Sequence, residues 1–157
     1  MNDNMGLTIE VTDIEPEAVY KDTVYTQTIV ARLQDGTKIN LFDSVSSIMG
    51  KDTVGDILDI SISILYNEVK NISGKAIGIY PTENPSSKWS YDLVCIIENV
   101  DKDDSSILLD FGSGIVSIGL NNNLEELIKS TDTGPDDCLY IPDARIDLIK
   151  INHIHDE

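Results

Sequence analysis

The chain carries very little with which to do nucleophilic or metal chemistry. Among 157 residues there are two histidines, two cysteines, one tryptophan and only eleven basic side chains. With histidine confined to His153 and His155, a Ser-His-Asp or Cys-His catalytic set would have to be assembled around those two positions alone. Cys95 and Cys138 each sit inside an apolar run, with no C-x-x-C spacing and no histidine nearby. They read as buried thiols rather than as a disulfide or a metal pair. Phosphate-binding patterns are missing too. Gly112-Ser113-Gly114 is too short for a dinucleotide or P-loop cradle and no Gly-Lys-Ser/Thr follows it, so it reads as a turn. No stretch approaches the ~20 apolar residues that span a bilayer. Residues 1–20 have no basic start, no unbroken apolar core and no small-residue cleavage site, so a cytoplasmic protein that does not enter a membrane is expected. On the same reading Asn71-Ile72-Ser73 is a chance match to a glycosylation acceptor.

What the chain has in excess is acid. Twenty-eight acidic residues against eleven bases give a net charge of −17, and nineteen of the acids are aspartate. They recur in loops and on the polar faces of strand-like runs from Asp13 to Asp156, so the charge is spread over a solvated surface. No two basic residues are adjacent. Nucleic-acid affinity comes from clustered lysine and arginine on phosphate, so nucleic acid and anionic lipid are disfavoured partners in ordinary salt. Three causes of such acidity compete: adaptation to a salt-rich cytoplasm, recognition of a basic partner, and solubility. The composition resembles that of proteins from extremely halophilic archaea, which carry many aspartates and few lysines over the whole surface. The 23 isoleucines and the Asn121-Asn122-Asn123 run depart from that resemblance.

The structural signal is alternation with period two. In Ile57 to Ile64, Leu58, Ile60, Ile62 and Ile64 fall on one face while Asp59, Ser61 and Ser63 fall on the other. Tyr25 to Leu33 repeats the pattern, with Tyr25, Ile29, Ala31 and Leu33 inward and Thr26, Thr28 and Arg32 outward. Ile39 and Leu41 do the same in Lys38 to Phe42. Asp35-Gly36 between those runs predicts an antiparallel hairpin over 25–43, because glycine reaches positive φ without strain. Further strands are predicted at Thr8–Val11, Lys75–Ile79, Tyr91–Ile97, Ile107–Phe111, Ile115–Leu120, Cys138–Ile141 and Arg145–Ile151. One short helix is expected at Leu124–Lys129, capped by Asn123, with Glu125 and Glu126 in its first turn.

The expected fold is therefore mostly β, as one or more small antiparallel barrels with a single short helix. Asp52–Ile60 and Asp132–Ile141 read loosely alike, each preceded by a glycine turn and followed by a strand. Two arrangements stay open: two similar halves, 1–80 and 91–157, joined through 81–90, or one compact domain. The order strand, hairpin, connector, strand over 8–65, and more weakly over 91–151, resembles the OB-fold. That family binds single-stranded nucleic acid through aromatics in a basic groove. Here the aromatics are few and the groove would be acidic, so no binding residue is carried over.

Three segments carry side chains of ligand type. Asp101 to Gly112 begins like a calcium loop but has Ser106 at the sixth position and Gly112 at the twelfth, so calcium is not expected. Asp132, Asp136 and Asp137 read as a solvated turn. His153 and His155, beside Asp156 and Glu157, could hold zinc or copper on one face of an extended tail, though chain ends fray. No cofactor, metal or catalytic group is therefore assigned. The function expected is a non-catalytic acidic β-barrel that binds another protein. Its contact residues are Tyr80, Lys88 and Trp89, at the two ends of the Pro- and Ser-rich segment 81–90, where Trp89 either packs over the barrel mouth or anchors a partner. The alternatives are a charge-mimicking inhibitor or immunity-type protein that occupies a basic nucleic-acid-binding site, and an OB-like nucleic-acid binder working in high salt.

Overall fold

The computed structural model describes residues 6–44 and 49–155. Ten strands and one helix follow in order: β1 Gly6–Tyr20, β2 Thr23–Leu33, β3 Lys38–Asp43, β4 Ile57–Leu65, β5 Lys70–Ile72, β6 Gly78–Pro81, β7 Ser90–Asp101, β8 Ser106–Asp110, β9 Gly114–Gly119, α1 Asn122–Thr131 and β10 Cys138–His155. A short 3₁₀ turn at Lys51–Thr53 lies between β3 and β4.

The strands join into one sheet that closes on itself twice. β2, β3, β10, β4 and β1 form a ring, closed by β1 against β2 and by a single parallel bridge from Phe42 on β3 to Asp147 on β10. A second ring runs β10, β4, β1, β9, β8, β7 and back to β10. The two rings share β1, β4 and β10, and every pairing apart from β3–β10 is antiparallel. This is the mostly antiparallel, barrel-like architecture that the alternation predicts.

Period two explains which faces are buried. Leu58 and Ile60 are fully buried and Ile62 and Ile64 nearly so, and they join Leu7, Ile9, Ile29 and Leu41 from the neighbouring strands. Leu93, Ile97, Ile107, Leu109 and Phe111 fill the other ring, and both sets belong to one apolar cluster. Each such side chain contributes about 1.5–3 kcal/mol when it leaves water. At the seam between β1 and β9 the backbones approach so closely that a Cβ on Gly114 would overlap the Gly6 carbonyl.

β10 is one strand of 18 residues, where the sequence suggests two. Leu139 and Ile141 point inward, and so do Ala144, Ile146 and Leu148, but the two sets have opposite parity. A bulge at Pro142-Asp143 reconciles them. The register shifts between Ile141 and Ala144, and Asp143 takes φ 50°, in the left-handed region that aspartate tolerates better than most residues. Two bonds pin the bulge: the Asp143 N–H donates to Asp92 Oδ1 at 2.9 Å, and Asp143 Oδ1 accepts from the Ser86 N–H at 3.0 Å. Without the shift, Asp143, Arg145 and Asp147 would face the core.

Several boundaries differ from expectation. β1 runs to Tyr20 rather than Val11, β6 occupies Gly78–Pro81 rather than Lys75–Ile79, and β5 carries no sequence signal. Tyr25, expected inward, is 53% exposed because the hairpin has left the barrel at that point. The helix begins two residues earlier than expected and Asn121 is its cap, with Oδ1 accepting the Leu124 N–H at 2.9 Å. Asn123 Nδ2 instead donates to the Asn67 carbonyl at 2.6 Å.

Candidate partner-binding surface

Beyond Ile14 on β1 and before Gln27 on β2 the hairpin continues as a two-stranded arm. Glu15 to Tyr20 are all exposed. The arm turns at Lys21-Asp22, both at positive φ (48° and 64°), the conformation of a tight hairpin whose twist matches its strands. Register shifts at Pro16/Ala18 and Ala18/Val19 bend it. Its apolar side chains have little to pack on: Val19, Tyr20 and Tyr25 are 54%, 62% and 53% exposed. Lys21 Nζ lies 5.4 Å from the Tyr20 ring centroid.

Lys88 and Trp89 meet the base of this arm. Trp89 stacks at a tilt on Phe42, with ring centroids 4.5 Å apart, and its indole Nε1–H donates to Thr28 Oγ1 at 2.9 Å. Thr28 Oγ1 in turn donates to Glu17 Oε2 at 2.7 Å, and the same carboxylate oxygen accepts from Lys88 Nζ at 2.6 Å. Lys88 also lies 3.7 Å from Glu15. The Arg145 guanidinium also sits 5.0 Å from the Phe42 ring centroid and forms a two-pronged pair with Asp147, both contacts at 2.8 Å. The segment 81–90 is thus tied by its last residues to β2, β3 and the arm. Thr28, assigned to the solvent face by alternation, is fully buried because Trp89 covers it.

The electrostatics follow from these contacts. The hydrogen bond from Lys88, with the Thr28 bond second, holds the Glu17 carboxyl below its usual range against a smaller opposing effect of burial. The hydrogen bond to Glu17 raises Lys88 correspondingly. Tyr80 belongs to another cluster on β6, where Lys75 Nζ lies 5.5 Å from the ring centroids of both Tyr80 and Tyr140. The Tyr80 hydroxyl donates to the Ala76 carbonyl at 2.7 Å, and Tyr140 donates to Asp92. Of the three residues singled out in the sequence, Lys88 and Trp89 therefore share one site and Tyr80 sits in a second.

Both cysteines are free thiols, and burial raises them; Cys95 is wholly enclosed and points its Sγ toward the Leu139 carbonyl. Thiols held protonated in this way are poor nucleophiles. Among the described residues, no group of three or more His, Cys, Asp or Glu side chains stands in metal-ligand geometry. Asp156 and Glu157 lie outside those residues. No helix among the described residues is long and apolar enough to cross a membrane. The chain matches no protein-family model and no curated protein sequence.

Sequence reasoning missed the arm. Its signal is present in Ala18-Val19-Tyr20 and Val24-Tyr25, apolar and aromatic residues packed around the charged pair Lys21-Asp22 without clean alternation. Such a pattern suits a ribbon with no buried face.

Proposed function

We propose that the protein is a non-catalytic binding module whose arm docks on a basic partner protein. The observation that carries this reading is the trio Val19, Tyr20 and Tyr25, more than half exposed on a ribbon that leaves the barrel. Exposed tyrosine offers large contact area at small entropic cost, the usual chemistry of an interface anchor. Glu15, Glu17 and Asp22 around it, within a net charge of −17, favour a partner surface rich in lysine and arginine. Lys88 and Trp89 act at the base of the arm, where they fix its direction, and Tyr80 would contribute at a second contact. A cytoplasmic setting and salt adaptation remain part of this proposal, as does the OB-like character of the first ring. Its order β1-β2-β3-β10-β4 with a parallel β3–β10 contact supports that likeness. A charge-mimicking inhibitor differs only in the partner, which would be a nucleic-acid-binding protein.

The test is capture from a lysate of the source cells at 0.05 M and 1 M chloride, with the full chain as bait beside a Val19→Ser/Tyr20→Ser/Tyr25→Ser variant. A basic protein identified on the parent and lost on the variant, at unchanged melting temperature, is the expected result. Equal capture by both, or capture of nucleic acid alone, contradicts the proposal.

A further inference from the structure

The second aromatic cluster, on β6, β7 and β10, holds a cation without a carboxylate. Lys75 Nζ stands 5.5 Å from the ring centroids of both Tyr80 and Tyr140. Among the described residues it forms no ion pair, in a chain where acids outnumber bases 28 to 11. Strand register sets the two rings in place. β7 runs between β6 and β10, with Gly78 and Tyr140 both opposite Val94 and Tyr80 opposite Asp92. The two tyrosines therefore stand on one face of the sheet, on either side of β7. Val94 is fully buried yet lies outside the central apolar cluster, so its cover is on this outer face. Gly78 adds no side chain there, and a Cβ on it would stand 3.6 Å from the Tyr80 ring. Asp92 anchors the other ring: its Oδ2 accepts from the Tyr140 hydroxyl at 3.1 Å.

We infer that Tyr80 and Tyr140 form a clamp for an alkylammonium group, filled by Lys75 in the free protein and open to a lysine side chain of another protein or to a small quaternary ammonium. The ring faces present the negative part of the aromatic quadrupole, which attracts an organic cation. Burial, then the Asp92 bond and the charges of Asp92 and Glu68, raise the Tyr140 hydroxyl above its usual range. The phenol is therefore neutral at physiological pH, and the field around it is negative. Lys75 lies between β5 and β6 in a segment, 73–76, that is exposed throughout, so its side chain can leave without breaking a strand pairing. Cation–π contacts at exposed sites are weak, and two of them favour the filled clamp over the empty one by only about 5–30-fold. An outside ammonium meets the clamp at an apparent affinity lowered by that occupancy. Only the lysine source rests on the basic partner proposed above; the clamp stands on its own contacts.

The probes are choline, Nα-acetyl-lysine methylamide and dimethylbutanol, the uncharged carbon isostere of choline. Each is titrated into the full chain at constant ionic strength, so that diffuse attraction of cations to the net charge of −17 does not change. NMR follows the Tyr80 and Tyr140 rings and the Lys75 side chain. Choline should shift both rings and return the Lys75 methylene signals from their ring-shielded positions, a readout that needs no variant to fold. Lys75→Ala should bind choline about 5–30-fold more tightly than the parent, and adding Tyr140→Leu should take back about 2–5-fold. Response to the lysine derivative assigns the clamp to a protein partner, and response to choline alone assigns it to a small quaternary ammonium. The arm variant Val19→Ser/Tyr20→Ser/Tyr25→Ser should bind choline as the parent does, so failure of the clamp and failure of the arm are read separately. Tyr80 and Tyr140 rings that answer neither cation in Lys75→Ala would overturn the inference. Equal choline affinity in Lys75→Ala and the parent, or an equal response to the uncharged isostere, would do so as well.

Discussion

Trp89 shows how one side chain gives direction to a whole segment. In the sequence it ends a polar stretch with nothing near it to pack on. In the fold its partners Phe42 and Thr28 come from β3 and β2, and the Thr28 bond joins residues 61 positions apart. The ion pair beside it links Lys88 to Glu17 over 71 positions. Its pH dependence follows from the depressed Glu17 carboxyl. The stabilisation is complete above the unfolded glutamate value of about 4.3 and is lost as pH falls through the lower folded value. Lys88, raised instead, keeps its contribution below its unfolded value and loses it as pH rises through the folded one. Carboxyl-carbon NMR of Glu17 should therefore show a midpoint below ~4.3 that moves up in Lys88→Met; a parent midpoint at or above ~4.3 contradicts the pairing. In the core, Ile60→Ala should cost about 2–5 kcal/mol through lost transfer energy and the cavity left behind. Ser61→Ala, on the opposite face of β4, should stay within about 0.5 kcal/mol in urea unfolding. Equal effects would mean that the faces of β4 are wrongly assigned.

At the scale of elements, β4 was legible because its alternation is strict and local. β10 was not legible as one strand. Proline normally interrupts a strand, and the parity of inward residues changes across Pro142-Asp143, so a local reading sees two strands where a bulge makes one. The arm escaped notice for the opposite reason: with no buried face it has no period. Ring closure depends on register between distant strands, as in Phe42 with Asp147 or Gly6 with Ile115, which composition does not encode. The candidate site was legible only as Lys88 and Trp89; Thr28, Phe42 and Glu17 enter through the same long-range pairing. At the helix, three consecutive asparagines offer three possible caps, and geometry selects Asn121. Asn121→Ala should cost about 1 kcal/mol by removing the acceptor for the Leu124 N–H. The check is amide hydrogen exchange in the first turn of α1, which should accelerate in Asn121→Ala; unchanged protection there contradicts the assignment.

For the whole molecule, nineteen aspartates and nine glutamates against eleven bases repel one another in the compact state. Screening shortens that repulsion from ~30 Å at 0.01 M to ~3 Å at 1 M. The melting temperature should therefore rise with chloride, with most of the gain below ~0.5 M. Continued rise and a preference for sulfate would instead indicate strengthened apolar burial. On the proposed function, acidity would select a basic partner and the arm would be where that partner docks. The most direct measurement of that claim is site-specific photo-crosslinking in the source cells, with the reactive side chain placed at Tyr20 or, as a control, at exposed Glu126 on α1. A discrete adduct with one basic protein from the Tyr20 position and none from the Glu126 position is the predicted result; no adduct at Tyr20, or the same adducts from both positions, would contradict docking through the arm.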